Sequence, residues 1–450
     1  MMTDHIHNAA ERPEVTEVRE AGRTTVLVIG GGINGISTFR DLALQGIDVV
    51  LVERGDFASG ASSASSHMIH GGIRYLENGE FRLVKESVTE RNGLIKIAPH
   101  YVKPLETTIP IYSTFSGILS APLRFLTHKS GKPQERGAFL IKMGLTIYDT
   151  FSRDGGTVPR HKFLGRKKSL AELPAMDPKI KYTATYYDAS MHDPERLALD
   201  VMQDGRAAHP RRPCAQLRRG DRPRRRRRPR PRPRDRHRIP DRRRRRREHL
   251  GAVDRPDERG ARRADPVHGR HQGLAHRAGQ SGAARRDQGP RDLLRALRRP
   301  DRPHLSPPQG KVMVGTTDID ADPREVPLCT EEEVDYFFDL VHHVFPSIDV
   351  NRSQIVYRFS GIRPLPRHED TAPGFVSRDY RVEVDNTRAV PHLSLVGGKW
   401  TTFRALGESL SDKILGILGR PRVVSTLGRV IGGGKDYPQG DAARAAWISQ

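Results

Sequence analysis

Apolar and polar positions along this chain fall into blocks of two different periods. Residues 24–29 (TTVLVI) and 47–53 (IDVVLVE) are short β-branched runs, and each predicts a strand. Between them Ile33, Ile36, Phe39 and Leu42 recur at helical spacing, which predicts a helix over 33–45 and a βαβ unit overall. Leu83, Val84, Val88 and Leu94 predict a second helix over 81–97, and 107–112 reads as a strand. From 182 to 204 a strand passes into a helix that begins near Asp193 and Pro194. The stretch 136–151 is apolar with basic residues; it reads as a core helix ahead of one that touches a membrane surface. Between 206 and 310 both periods vanish. They return as a strand over 311–315, an amphipathic helix over 331–345, strands over 355–360 and 393–396, and a long helix over 402–418.

Charge changes how the silent stretch is understood. The formal net charge of +23 over 450 residues first points to a polyanionic partner. Residues 206–309 alone hold 35 arginines against 11 acidic residues, and the remaining chain is close to neutral. The basicity therefore belongs to one segment, and no nucleic-acid partner is expected. That segment has no Lys, Met, Asn, Thr, Phe, Tyr or Trp, and too little apolar surface to offset the entropy of ordering it. Three readings compete: an Arg-rich arm, a solvated insertion, or GC-rich coding sequence translated out of frame. The missing residue types are largely those with A/T-rich codons, which favours the third.

Cys214 and Cys329 are the two cysteines; they make no disulfide framework, which fits a reducing cytoplasm. No apolar run approaches the roughly 18–20 residues of a membrane-spanning helix. Residues 1–23 are polar, lack the apolar run of a signal peptide, and are expected to form a disordered tail. The expected location is cytoplasmic, with at most peripheral contact to a membrane face.

Gly30, Gly32 and Gly35 form G-x-G-x-x-G at the turn from the first strand into the first helix. The first glycine allows the tight turn, the second lets backbone approach a pyrophosphate, and the third lets helix and strand pack closely. A diphosphate would sit on the helix N-terminus, where unpaired N–H groups and the helix dipole favour anions. Glu53, ending the second strand, is placed to accept hydrogen bonds from an adenosine ribose. This motif does not separate FAD from NAD. The following loop, SGASSASSHMIHGGIRY (59–75), is rich in hydroxyls and glycines and suits a larger cofactor better than the helix usual at this point. No spacing of His, Cys, Asp or Glu suggests a metal.

The motifs GGGINGIS (30–37), ASSASSHMIHGGIRYLENGEFRLV (61–84), VGTTDID (314–320), SGIRPL (360–365), SRDY (377–380) and GGKWTTFR (397–404) occur in one order. In these motifs the chain strongly resembles the FAD-dependent, quinone-linked glycerol-3-phosphate dehydrogenases. The resemblance covers residues 24–205 and 311 to about 435. It implies an α/β fold: a Rossmann-like, glutathione-reductase-like FAD domain, with a substrate domain on a mixed or antiparallel sheet. The FAD-binding parts would be 24–105, 181–205 and 386–425, and the substrate-domain parts 106–180 and 311–385. Residues 206–310 would remain an anomalous, disordered segment, and 426–450 the start of a truncated helical C-terminal domain.

The implied reaction oxidises sn-glycerol 3-phosphate to dihydroxyacetone phosphate. Hydride passes from C2 to flavin N5, a base takes the hydroxyl proton, and electrons go on to a membrane quinone. Arg363, Arg378 and Lys399 would receive the substrate, with Arg74 and Tyr75 closing the other side. Arginine suits this task because its planar fork binds phosphate oxygens in pairs. Ser62, Ser63, Ser66, Gly398, Lys399, Thr401 and Thr402 would join Gly30, Gly32, Gly35 and Glu53 around FAD. His67 stands where relatives commonly carry lysine. Back-translating Glu248 to Arg255 and His268 to His276 and reading one base later yields NTSGPWT and MGGTKGSH. Both resemble motifs the family carries in this interval, so its second flavin turn and a substrate-loop histidine would be missing from the translated chain. Two alternatives stay open: an FAD oxidoreductase acting on an amine or 2-hydroxy acid, and an Arg-rich nucleic-acid-binding protein on a degenerate scaffold.

Overall fold

A computed structural model describes residues 13–78, 80–115, 137–152, 158–208, 214–216, 271–273, 311–317, 319, 322, 326–363, 379–438 and 440–449. The first helix, α1 (Pro13–Ala21), lies where a disordered tail was expected. Pro13 takes the first helical position, Glu14 and Arg19 complement the dipole, and Val15 is buried. The βαβ unit follows as β1 (Val26–Ile29), α2 (Ile33–Leu44) and β2 (Val49–Glu53), with β1 and β2 parallel from Val26↔Val49 to Ile29↔Val52.

After the two-residue β3 (Met68–Ile69) come α3 (Phe81–Ile97) and the ten-residue β4 (Val102–Ile111). Next are α4 (Ala138–Ser152), β5 (Lys162–Gly165), α5 (Arg166–Glu172), β6 (Tyr182–Met191) and α6 (Pro194–Ala208). β6 is central to an antiparallel sheet that pairs with β4 along its full length, from Val102↔Met191 to Ile111↔Tyr182. β3 and β5 pair with opposite ends of β6.

These two long strands connect two cores. Val102, Ala189 and Met191 pack with α2, α6, Trp400, Phe403 and Ile431 in the first core. Ile109, Ile111, Ala184 and Tyr186 pack with Val84, Val88, Leu145 and Tyr148 in the second. The expected domain cut after residue 105 therefore falls inside β4, because one continuous strand serves both cores.

Two short pieces of the Arg-rich segment are described as strands. β7 (Cys214–Gln216) extends the parallel sheet beside β2, and β8 (His271–Gly273) runs antiparallel to β9 (Gly361–Arg363). Helix α6 also continues past the expected break, to Ala208. Ladder bonds are made by main chain, so such pairing tolerates an unusual sequence. The rest of that segment lies outside the described residues.

Further on, α7 (Glu331–Val344) opens with a reciprocal capping box. Glu333 N–H donates to the Thr330 hydroxyl, and Thr330 N–H donates to the Glu333 carboxylate at 2.9 Å. β10 (Arg381–Asp385) and β11 (His392–Val396) form a hairpin that crosses the expected boundary at 385/386. The chain ends in α8 (Phe403–Ile417) and α9 (Asp441–Ile448). The strands expected over 311–315 and 355–360 are not formed as ladders: among the described residues no strand pairs with them. Among the described residues no helix is long and apolar enough to cross a membrane.

Candidate active site

The glycine turn is as tight as the motif requires. Gly30 has φ +115°, and a Cβ on Gly35 would lie 1.9 Å from the Gly30 carbonyl oxygen. Strand and helix meet there without room for a methyl group. A Cβ on Gly32, the N-cap of α2, would lie 3.3 Å from the Ser62 hydroxyl. That hydroxyl accepts from Ile33 N–H at 3.0 Å, so the serine loop is laid across the helix N-terminus. Glu53 accepts from Gly31 N–H and Gly55 N–H, each at 2.7 Å. A carboxylate has about four acceptor sites, and two main-chain donors fix its orientation while leaving acceptor capacity for ribose hydroxyls.

The second wall is residues 397–402. Gly397 and Gly398 have φ +83° and +99°, and a Cβ on Gly398 would lie 2.5 Å from the Asn34 side-chain amide. Backbone thus approaches α2 from the opposite end of the chain. Trp400 Nε1 donates to the Ser62 carbonyl at 3.0 Å, and the Thr401 hydroxyl donates to the His70 carbonyl at 3.2 Å. Lys399 Nζ donates to the Ser87 hydroxyl at 2.8 Å and lies 4.5 Å from the centre of the Tyr75 ring. Asn34 Oδ1 and the Thr402 hydroxyl are buried without a hydrogen-bond partner. Buried polar atoms are nearly always satisfied, so these two fit a polar ligand lying between α2 and the 397–402 turn.

Tyr75, Lys399, Ser62, Thr401 and Thr402 are therefore brought together with the glycine cradle. Ser63 caps its own turn by donating to the Gly60 carbonyl at 3.0 Å, and Ser66 is half-buried in the same loop. Arg363 lies on β9, whose Gly361 packs against Ala64, so its strand abuts the serine loop. Arg378 and the side chain of Arg74 lie outside what is described. His67 has φ +51°, and burial lowers its pKa. It is thus held as a neutral imidazole, where a lysine would supply a cation. Among the described residues no cluster of His, Cys, Asp and Glu could hold a metal.

Sequence reading missed the side chains that hold this arrangement. Arg404 forms a bidentate pair with Glu90, Nη2 to Oε1 at 2.6 Å and Nε to Oε2 at 2.8 Å, tying α8 to α3. Arg404 also pairs with Glu408, and these charges raise its pKa further despite burial. Asn34 was inside a quoted motif, but its face of the helix was not legible. Ser87, Glu90 and Arg91 share a face of α3 with apolar residues, a pattern that does signal buried polar pairs.

A glycine turn at a helix N-terminus with a carboxylate at the strand end, faced by a second backbone wall and two buried unpaired polar atoms, is the kind of site that flavin-dinucleotide oxidoreductases use. The chain belongs to the FAD dependent oxidoreductase family, whose model matches residues 25–227 and 249–398. It is 31% identical over 449 residues to a glycerol-3-phosphate dehydrogenase of Synechocystis, covering 92% of this chain and 74% of that protein. A D-erythritol 1-phosphate dehydrogenase of Brucella abortus is also 31% identical, over 85% of this chain and 72% of that one. Among solved structures, the Bacillus halodurans glycerol-3-phosphate dehydrogenase complexed with FAD matches at TM-score 0.53 and 19% identity, over 95% of this chain and 70% of that chain. The Mycoplasma pneumoniae L-α-glycerophosphate oxidase matches at TM-score 0.50 and 15% identity, over 90% and 97% of the two chains, and shows the shared fold.

Proposed function

We propose that this protein oxidises the secondary hydroxyl of a polyol phosphate, sn-glycerol 3-phosphate first, to the ketone. The carrying observation is the Lys399–Tyr75 pair set beside the glycine cradle, with the Arg363 strand packed on the serine loop. FAD, when bound, accepts the hydride from the carbon bearing the hydroxyl. Gly30, Gly32, Gly35 and Glu53 would hold its adenosine diphosphate half, and Asn34, Gly398, Thr401 and Thr402 would face its ring. Arg363, with Arg74 and Arg378, would bind the substrate phosphate through paired N–H donors. The Lys399 ammonium, held by Ser87 and the Tyr75 ring, would stabilise negative charge developing on the reacting oxygen. Product of the glycerol substrate is dihydroxyacetone phosphate.

Electrons then pass to a membrane quinone. The outer face of α4 supports peripheral membrane contact: Phe139 and Met143 are exposed on it, and the opposite face packs through Leu145 and Tyr148. The test is anaerobic mixing of the purified flavoprotein with sn-glycerol 3-phosphate, followed through flavin absorbance. Bleaching with stoichiometric dihydroxyacetone phosphate is expected; no bleaching with this substrate or with D-erythritol 1-phosphate sinks the assignment. Unphosphorylated glycerol should leave the flavin oxidised. The Brucella relative favours D-erythritol 1-phosphate as the second substrate to try, since it keeps phosphate and secondary hydroxyl on a longer chain.

A further inference from the structure

Three fully buried polar side chains take no part in the chemistry above. Arg91 of α3, Tyr148 of α4 and Asp188 of β6 are 0%, 1% and 1% exposed. The Tyr148 hydroxyl donates to Asp188 Oδ1 at 2.6 Å. Arg91 Nη1 donates to the Tyr148 oxygen at 2.7 Å and to the Tyr187 carbonyl at 2.8 Å, and lies 3.4 Å from Asp188 Oδ1. Its Nη2 donates to Asn92 Oδ1 at 2.9 Å. Burial, reinforced by Asp188, pushes the Tyr148 phenol well above its ordinary range, so it stays a neutral donor.

This cluster has an outlet. Gly71 N–H donates to Asp188 Oδ1 at 2.8 Å, and a Cβ on Gly71 would lie only 2.0 Å from the Tyr148 oxygen. The turn that begins at Gly71 rests directly on the phenol. Gly71 and Gly72 leave that turn intrinsically free, so something must hold it. Four residues on, the Tyr75 ring meets Lys399, which is itself held by Ser87. Ser87 and Arg91 are one helical turn apart on α3, so a single helix face indexes both members of the pair. Buried ionic clusters are often replaceable by well-packed apolar residues without loss of stability, but apolar residues here would offer nothing to the Gly71 amide.

We propose that Arg91, Tyr148 and Asp188 are positioning residues: together they pin the Gly71–Tyr75 turn and through it set the affinity for substrate. The inference rests on reading the Tyr75–Lys399 pocket as the polyol phosphate site. Tyr148→Phe removes the oxygen and keeps the ring. In the substrate-free flavoprotein, amide exchange over 68–76 should quicken by about tenfold or more, with 81–97 and 182–191 unchanged. KM for sn-glycerol 3-phosphate should rise about tenfold with kcat within about twofold. Gly71→Ala should harm the Tyr148→Phe protein less than the wild type, because the oxygen nearest the new methyl is gone. Unchanged exchange over 68–76 overturns the proposal. So does exchange that quickens equally throughout, with KM unaltered, since that marks a trio that only stabilises the fold. A wild-type flavin that neither polyol phosphate reduces refutes the substrate reading instead; exchange at the turn then still decides whether the trio pins it.

Discussion

Gly35 and Arg363 show how differently single residues can be constrained. The space at Gly35 is closed by backbone, which cannot swing aside as a side chain would. Gly35→Ala should therefore separate α2 from β1 and lower bound FAD severalfold, measured as the flavin-to-protein absorbance ratio in the purified protein. A variant that retains full flavin would show that the cradle is not the pyrophosphate seat. At Arg363 the constraint is chemical. Lysine keeps the charge but replaces a planar fork with a point donor, so Arg363→Lys should raise KM for the polyol phosphate roughly 10- to 100-fold with a smaller change in kcat. Kinetics identical to wild type would remove Arg363 from the phosphate site. Gly35 was legible in the chain from its spacing; Arg363 was singled out by the motif it belongs to, and its role rests on this measurement.

At the scale of elements, α3 is the organiser. Its Ser87, Glu90 and Arg91 reach Lys399, Arg404 and the Tyr148–Asp188 pair respectively. The Glu90–Arg404 pair is buried, with side chains 5% and 9% exposed. Removing one member leaves a charge with reduced compensation, and such truncations cost about 3–5 kcal/mol. Glu90→Ala should lower the melting temperature strongly and loosen FAD with it. Glu90→Met combined with Arg404→Leu should recover much of the stability, because no charge is then stranded. A melting temperature of Glu90→Ala equal to wild type would show that Glu408 alone satisfies Arg404. The helix itself was legible over 81–97, with the same bounds as in the structure. Its partners were not, since residues 57 to 314 positions away share no local signal with it.

Across the whole molecule, His67, His100 and His192 are all lowered in pKa chiefly by burial. The folded state takes up their protons later than the unfolded chain, whose histidines titrate near 6.5. Their contribution is therefore complete above that pH and is lost as pH falls through it toward the lower folded values. Glu86, Asp41, Asp204 and Glu333 are raised chiefly by burial and act in the opposite sense. Replacing the three histidines by Asn should therefore raise the melting temperature at about pH 5.5 relative to pH 7 by a few degrees compared with the wild type. A variant whose pH profile matches the wild type would show that those imidazoles keep water contact. For residues 206–309, the out-of-frame reading predicts compensating insertions or deletions near codons 205 and 310. A coding sequence that runs cleanly in one frame, with full flavin occupancy, would end that reading.

What the sequence determined by itself is whatever rests on neighbours in the chain: the βαβ unit, the glycine turn, Glu53 at a strand end, the helix periods and the ordered motifs. Period and steric need act over a few residues and leave their mark there. Where those pieces meet was decided only by the tertiary structure. Folding set Gly398 against Asn34, Lys399 over Tyr75, and Asp188 beneath Gly71. The same step ran β4 and β6 through both cores and, among the described residues, paired no strand with 355–360. These outcomes depend on which distant surfaces and main-chain donors find one another, and that complementarity is not written in any local window of residues.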